Sequence, residues 1–203
     1  MRALAKEITK RSAPMALACC IGAIMLTPAV AQIVAPIALT RTQIVRLQRM
    51  QGVFAYESGF DEAAAKSAVA AATPTLVTRS QRRLRVQLLE VLRPALRVKI
   101  QLENSGTLSA RMAVQEGTAR ISAPLSGALE SVKVARASSK PSSLNLSQRL
   151  DGSTLLQIVE GKGVRQERRF DLSTSGTILI LDARVMSTAA NGPLTARSVY
   201  RKL

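Results

Sequence analysis

The sequence has 203 residues, of which 47% are hydrophobic, and it carries a formal net charge of +16 with no histidine and no tryptophan. This length fits one domain plus a leader, and the apolar fraction excludes global disorder. The absence of histidine excludes Ser-His-Asp and Cys-His catalytic arrangements, and the sequence has no phosphate-binding glycine loop or dinucleotide motif. We therefore expect no enzyme, no cofactor and no metal site.

The first 31 residues have the three parts of a secretory signal peptide. Four basic residues lie at positions 2–11, a charge-free apolar run begins at Ser12, and the small residues Ala29 and Ala31 precede Gln32. This order predicts cleavage after Ala31 and export of a bacterial protein to the periplasm. The uncharged run continues to Thr40 and is long enough to span a bilayer, so an uncleaved anchor is the alternative.

Cleavage after Ala31 would remove both cysteines of the sequence, Cys19 and Cys20. The mature chain then has no disulfide, no thiolate nucleophile and no cysteine ligand for a metal. An exported domain of this size that lacks disulfides is typical of bacteria, because small eukaryotic extracellular domains usually depend on them. Its net charge would be +13. Such an excess attracts a protein to anionic surfaces, with a strength that falls as salt rises.

Residues 32–94 are predicted to form an N-terminal segment with two helices. The first spans about 61–72, because Asp61 and Glu62 place negative charge at a helix start and a run of alanines follows. Thr73 and Pro74 end it. Before this helix, three apolar residues have helical spacing and give a weaker signal for a further short helix. These are Ile44, Leu47 and Met50.

The second predicted helix spans about 79–92 and contains the stretch VTRSQRRLR. Four apolar residues fall within one stripe on a helical wheel, and Pro94 follows the helix. The stripe consists of Leu84, Leu88, Val91 and Leu92. Four basic residues fall on the opposite side and form a possible anion-contact surface. These are Arg79, Arg82, Arg83 and Arg85. The alternation in LRVQL leaves a strand as the alternative.

Residues 95–203 change to short alternating runs separated mostly by turns of two to four residues. They predict eight or nine strands, with Asp151-Gly152 as a two-residue hairpin turn. No helical segment separates the strands, so the pairing must be antiparallel. The predicted fold is mainly β (α+β). It is an antiparallel meander that curls into a barrel or bent sheet, forms one domain with residues 32–94, and is covered by the preceding helices.

The closing segment, GVRQERRFDLSTSGTILILDARVMS followed by PLTARSVYRKL, resembles that of a loose group of uncharacterised exported proteobacterial β-rich proteins. The resemblance covers residues 163–203, and the helix followed by an arginine-rich element in 63–85 is similar as well. It implies an exported β protein and no particular activity. The architecture also resembles lipocalin-like barrels, although the Gly-x-Trp motif of lipocalins is absent because the chain has no tryptophan.

Acidic residues cluster in three neighbouring predicted strands. They are Glu160, Glu167, Asp171 and Asp182, and the nearby cations are Lys162, Arg165, Arg168, Arg169 and Arg184. A carboxylate-pair hydrolase would need two of these acids to face each other across a cleft. Cross-strand ion pairs on a solvated face are the simpler interpretation. Nucleic acid is disfavoured as a partner, because no aromatic side chains interleave with the arginines at 79–85.

Two functional hypotheses remain. In the first, the protein is non-catalytic and binds a lipophilic or anionic envelope molecule in or on the curled sheet, with arginines holding the anionic group. In the second, it is an envelope structural or interaction protein that makes peripheral contact with anionic lipid or polymer surfaces through its arginine-rich face.

Overall fold

The computed structural model describes residues 38–73, 78–104, 110–136, 139–161 and 163–203. The predicted signal peptide, 1–31, and Lys162 lie outside these ranges. Within them, no helix is both long and apolar enough to cross a bilayer.

The described chain contains three helices and ten strands. The helices are α1 (Arg41–Met50), α2 (Glu62–Ala72) and α3 (Arg79–Leu92). The strands are β1 (Gly52–Ser58), β2 (Arg97–Asn104), β3 (Arg111–Glu116), β4 (Ala119–Pro124), β5 (Glu130–Arg136), β6 (Ser139–Asp151), β7 (Thr154–Gly161), β8 (Val164–Leu172), β9 (Ile178–Ser187) and β10 (Leu194–Lys202). All pairings are antiparallel, and the sheet order is β4-β3-β2-β1-β10-β9-β8-β7-β6-β5. The mainly β, antiparallel fold class is confirmed.

The N-terminal segment contributes a strand that the sequence pattern did not reveal. β1 lies in the middle of the sheet, with Phe54 opposite Val98 of β2 and opposite Lys202 of β10. Its sequence, GVFAYES, is short and begins with glycine, and it alternates only partly. β1 joins the last strand to the strands β2–β4, so the number of strands rises to ten and the sheet curls into a nearly closed barrel.

Helices α2 and α3 have nearly the predicted bounds, because a capping residue fixes where each helix begins. Asp61 is the N-cap of α2 and accepts a hydrogen bond from the Ala64 N–H at 2.9 Å. Thr78 caps α3 in a reciprocal capping box with Gln81. Such caps satisfy backbone donors that have no partner within the helix, and each contributes about 1 kcal/mol.

The helices cover opposite ends of the barrel. Leu88 and Leu92 of α3 pack with Val69 of α2 against Val185 and Leu194, which lie beside the β9–β10 loop. At the other end, α1 buries two apolar residues of its predicted stripe in the main core. These are Leu47 and Met50.

A second contact ties α1 to the same end of the barrel. The Arg49 guanidinium donates to the Thr174 carbonyl at 2.5 Å, in the β8–β9 turn, and the Lys202 ammonium donates to the Arg49 carbonyl at 3.2 Å. The barrel therefore has a helical cover at each end.

The main core lies inside the barrel between the two covers. The largest fully buried side chains there include Phe54, Phe170 and Tyr200, which come from strands β1, β8 and β10. Aliphatic residues from β2, β3, β7 and β9 complete the core. They are Val98, Ile100, Met112, Val114, Leu155, Leu179 and Leu181. The interior is therefore apolar over most of its length.

The edge strands β4 and β5 meet at a seam instead of forming a ladder with each other. The connection between them runs beside β6, where Ser126 forms a bridge with Arg149. The Gly127 N–H donates to the Gln148 carbonyl at 2.8 Å, and the Ser147 hydroxyl donates to the Gly127 carbonyl at 2.7 Å. The seam is closed by this connection at one end.

The β6–β7 hairpin tests the role of turn geometry in the fold. The loop lies one residue later than predicted: Asp151 still pairs with Thr154, so Gly152 and Ser153 form the loop, and Gly152 has a φ of +61°. Replacing Asp151-Gly152 by Pro-Pro should abolish cooperative folding, since proline cannot adopt this φ and its ring blocks the turn.

The matched variant Gly152→Ala should lower the free energy of unfolding by only about 1 kcal/mol, the cost of a left-handed residue with a Cβ. Urea unfolding followed by circular dichroism measures both variants. A Pro-Pro variant that unfolds at the wild-type midpoint would contradict the assignment of this turn.

Candidate functional site

A line of polar side chains crosses the inner surface of the barrel. Gln148 of β6 lies opposite Gln157 of β7, and Gln157 lies opposite Arg168 of β8. All three side chains are buried. Burial of a polar or charged side chain is unfavourable unless it finds a hydrogen-bond partner. The contacts of these three side chains therefore decide whether they can be buried.

The two glutamines form a directional relay that reaches across the seam. With the Gln148 amide oriented by its hydrogen-bonding neighbours, its nitrogen donates to the carbonyls of Met112 and Ala123, both at 3.0 Å. Its oxygen accepts from Gln157 Nε2 at 2.6 Å. The Gln157 oxygen in turn accepts from Arg168 Nη1 at 3.0 Å. The relay therefore fastens β6 to the β3–β4 pair inside the barrel.

Arg168 is the buried charge of the interior. Its Nη2 forms an ion pair with the Glu116 carboxylate of β3, and its guanidinium lies 5.0 Å from the centre of the Phe170 ring. Burial lowers the pKa of Arg168 to about 10, because the charged form is desolvated. The side chain nevertheless stays charged at neutral pH.

The Tyr200 hydroxyl interacts electrostatically with this charge. Its side chain is completely buried, and its ring meets the Tyr56 ring edge to face with centroids 5.8 Å apart. The Tyr56 hydroxyl accepts a hydrogen bond from the Phe60 N–H at 3.2 Å. The Tyr200 hydroxyl, in contrast, makes no hydrogen bond of good geometry with the described residues, although the Ala95 backbone and the Ser198 side chain lie close enough to act on its pKa. Desolvation raises the pKa of Tyr200 to about 12, and the neighbouring Arg168 charge opposes that shift.

The arginines at 79–85 lie on one helix, as predicted, but they do not form a uniform face. Arg79, Arg82 and Arg83 are exposed. Arg85 is half-buried, and its Nε donates to the Thr73 hydroxyl at 2.7 Å, so it links α3 to the end of α2. Contact of this surface with an anion stays a prediction.

The acidic cluster in the last strands forms cross-strand contacts on the outer face. Arg165 bridges Glu160 at 2.6 Å and Glu167 at 3.1 Å. Asp182 lies 3.6 Å from Arg197, and Asp171 accepts a hydrogen bond from the Thr154 hydroxyl. One expectation for this face is wrong: Arg168 points inward. Its neighbours Gln166 and Phe170 share its inward parity, and the run RR at 168–169 conceals the alternation.

Sequence reasoning missed the interior residues for a physical reason. Gln148, Gln157 and Arg168 occupy inward positions where a binary pattern expects apolar side chains. Only the exact strand register shows that they are neighbours. A signal was available for Tyr200, since it is one of five aromatic residues and shares one face of β10 with Ser198, while Val199 lies on the other face.

No protein-family model matches the chain, and comparison with curated proteins finds no match. Solved structures with a similar fold include the fluorescent protein UnaG (11% identity, TM-score 0.46), which covers 77% of this chain and 99% of its own. A secretory abundant heat soluble protein from Ramazzottius varieornatus has 13% identity and a TM-score of 0.47, with coverage of 76% and 96%.

A Schistosoma mansoni fatty acid binding protein in complex with arachidonic acid has 12% identity and a TM-score of 0.43, with coverage of 78% and 98%. Identities and TM-scores this low do not identify a ligand for this chain. The group of exported proteins that the closing segment resembles is not named by any of these matches, so that resemblance stays a prediction.

The alkaline pH dependence of stability reports on Tyr200. Its pKa is near 10 in the unfolded chain and about 12 in the folded protein, so the folded state retains a proton that the unfolded state loses. This contribution to stability is complete below pH 10 and is lost as the pH rises to 12. Relative to Tyr200→Phe, wild type should therefore lose about 2 kcal/mol of unfolding free energy over this interval.

Urea unfolding of both proteins at several pH values measures the difference, and absorbance titration of the phenolates provides the control. When the absorbance titration curve of Tyr200→Phe is subtracted from that of wild type, the difference should show one transition at about pH 12. A transition near pH 10 would mean that water reaches the Tyr200 hydroxyl.

Proposed function

We propose that this protein binds a lipophilic or amphipathic molecule inside its barrel and catalyses no reaction on it. The observation that carries the proposal is the fully buried Tyr200 hydroxyl, which makes no hydrogen bond of good geometry with the described residues and interacts electrostatically with the Arg168 charge. A buried hydroxyl without a partner costs about 1–3 kcal/mol. A ligand oxygen placed there would accept its hydrogen bond and recover that loss.

The surroundings of Tyr200 favour a ligand with one anionic or strongly accepting end. Arg168 already pairs with Glu116 and Gln157, and its remaining donors can contact a second oxygen. The rest of the interior is lined by aliphatic and aromatic side chains, which suit a hydrocarbon body. A long-chain carboxylate has this combination of an accepting end and an apolar body.

Entry to the interior requires part of the structure to move. Helices cover both ends, whereas the seam between β4 and β5 has no strand ladder. Helices α2 and α3 pack through a group of buried apolar residues that is separate from the main core. These are Val69, Leu88, Leu92, Val185 and Leu194. We infer that a ligand enters past α2 and α3 or along the seam.

We propose export as the cellular setting. The support is the pattern of residues 1–31, with cleavage after Ala31, and the alternative is an anchor formed by the uncleaved segment. An exported carrier would meet lipids and other amphipathic molecules of a bacterial envelope.

Native mass spectrometry of protein purified from its own host tests both proposals at once. We expect a retained adduct with the mass of a lipid, and an N-terminus at Gln32. Protein that is consistently free of adduct, and that also fails to retain added long-chain carboxylates, would overturn the interior site. An N-terminus at Met1 would instead support the anchor.

The variant Tyr200→Phe separates binding from folding. Removing a hydroxyl without a partner should leave stability unchanged or raise it by about 1 kcal/mol, whereas the affinity for oleate should fall about tenfold. Tyr56→Phe is the matched control, because it also removes a tyrosine hydroxyl, one that accepts a hydrogen bond from the Phe60 N–H. Equal oleate affinity in wild type and Tyr200→Phe would contradict the role assigned to Tyr200.

A second candidate function rests on the outer surface of α3. Arg79, Arg82 and Arg83 are exposed together at its N-terminal half, and the protein has a large excess of positive charge. We propose as the alternative that this face holds the protein on anionic envelope surfaces. The alternative needs no interior ligand.

Changing Arg79, Arg82 and Arg83 together to Gln should reduce binding to vesicles that contain phosphatidylglycerol, and raising the salt should weaken the wild-type interaction. Co-sedimentation with the vesicles measures binding. The control variant changes the exposed Arg41, Arg46 and Arg97 to Gln, which removes the same charge elsewhere. An equal loss in both variants would show a general charge effect and contradict a specific contact face.

A further inference from the structure

The outer face of β6–β10 contains a groove that the proposed interior site does not use. Its volume is about 710 Å³, within the range of ligand-binding clefts. Five arginines line it, together with two acids, Thr195 and the apolar residues Leu156 and Ile158. The arginines are Arg149, Arg165, Arg169, Arg184 and Arg197, and the acids are Glu167 and Asp182. The lining thus has an excess of positive charge.

Strand register places the charges in an ordered array. Arg149, Leu156, Arg169, Asp182 and Arg197 are successive cross-strand partners on β6–β10. Alternate strands therefore carry an arginine, and these arginines recur about every 10 Å, which is two strand spacings. A single carboxylate or phosphate cannot contact them all. The array fits an extended molecule that lies across the strands and carries several anionic groups.

Two of the arginines form no ion pair within the ranges that the structure describes. Arg149 and Arg184 are exposed and make no ion pair with any residue that the structure describes. Arg169 and Arg197 lie 3.7 Å from Asp151 and 3.6 Å from Asp182, so their pairs are loose and open to exchange. All four guanidinium groups can therefore turn to an external anion.

The acids and the apolar residues in the groove restrict the class of ligand. A polymer with anionic groups alone would be repelled by Glu167 and Asp182. A polymer that also carries hydroxyl groups can donate hydrogen bonds to these carboxylates and to Thr195. Leu156 is only 7% exposed although it points outward between Arg149 and Arg169, so it forms a recessed apolar floor. The C–H faces of sugar rings can pack against such a floor.

Other occupants fit less well. The groove has no aromatic side chain for base stacking, which disfavours single-stranded nucleic acid. Strands β7, β8 and β9 are hydrogen-bonded on both sides, so an extended peptide cannot add to the sheet there. A flat bilayer surface cannot reach the recessed floor.

We propose that this groove binds an acidic polysaccharide of the uronate type, with its carboxylates on the arginines and its hydroxyls on Asp182, Glu167 and Thr195. The ligand crosses the strands on the outer face. The site is separate from the interior, and either can be present without the other.

Isothermal titration with polygalacturonate tests the site. We expect binding by wild type and about a tenfold loss of affinity when Arg149 and Arg184 are both changed to Gln, because both guanidinium–carboxylate contacts disappear. Neither residue has an ion pair to lose within the described structure, so the fold should be retained. The control is Arg79→Gln with Arg82→Gln, which removes the same charge from α3 and should change the affinity less than about twofold.

Asp182→Ala distinguishes hydroxyl recognition from simple charge attraction. The variant raises the net positive charge, so polyphosphate should bind it more tightly than wild type. Polygalacturonate should bind it more weakly, because a hydroxyl acceptor is lost. Unfolding midpoints of all variants verify that the fold is intact.

Three outcomes would overturn the proposal. The first is no binding of polygalacturonate by wild type at low salt, and the second is an equal loss in the groove and control variants. The third is a loss of phosphatidylglycerol vesicle binding, but not polygalacturonate binding, on changing Arg149 and Arg184, which would assign the groove to a membrane. Oleate affinity should be unaffected by these groove variants, so failure of this site leaves the interior proposal unchanged.

Discussion

The pairing of β1 with β10 is the contact on which the barrel depends. β1 hydrogen-bonds to β10 on one side and to β2 on the other, so it joins a block formed by β1–β4 to a block formed by β5–β10. The same pairing brings Tyr56 opposite Tyr200 and places Phe54 in the core. The seam between β4 and β5 can close only because this junction curves the sheet. The two blocks then meet a second time through the Gln148 relay and the ion pair of Arg168 with Glu116.

The interior combines a satisfied polar network with one hydroxyl that lacks a partner in the described structure. The relay of glutamines and Arg168 is hydrogen-bonded along its length, so its role in holding the seam explains its burial. Tyr200 differs, because its buried hydroxyl makes no hydrogen bond of good geometry with the described residues. A buried polar group that is poorly satisfied is the kind of local conflict that binding sites contain. This contrast is the ground for the proposal that a ligand contacts Tyr200.

The sequence pattern predicted those parts of the structure that depend on local signals. Asp61 and the alanine run define α2, the stripe containing Leu88 and Leu92 defines α3, and short turns separate the antiparallel strands. β1 was missed because its assignment depends on partners far away in the sequence. The interior site was missed for the same reason: parity along β8 shows that Arg168 faces inward only once its register with β7 and β9 is known. Arg85 was placed with the exposed arginines because a helical wheel does not show the end of α2 beside it.

The central position of β10 also sets the order of events during folding. Consecutive strands from β2 to β4 and from β5 to β9 can pair as local hairpins as soon as they emerge from the ribosome, but β1 waits for a partner almost 150 residues away, as the pairing of Ala55 with Arg201 shows. Contacts this distant are slow to form, because the intervening loop must close first. Until then, β1 and β9 present unpaired backbone edges. The pairing of β10 with β1 therefore completes the barrel only after both local blocks have formed.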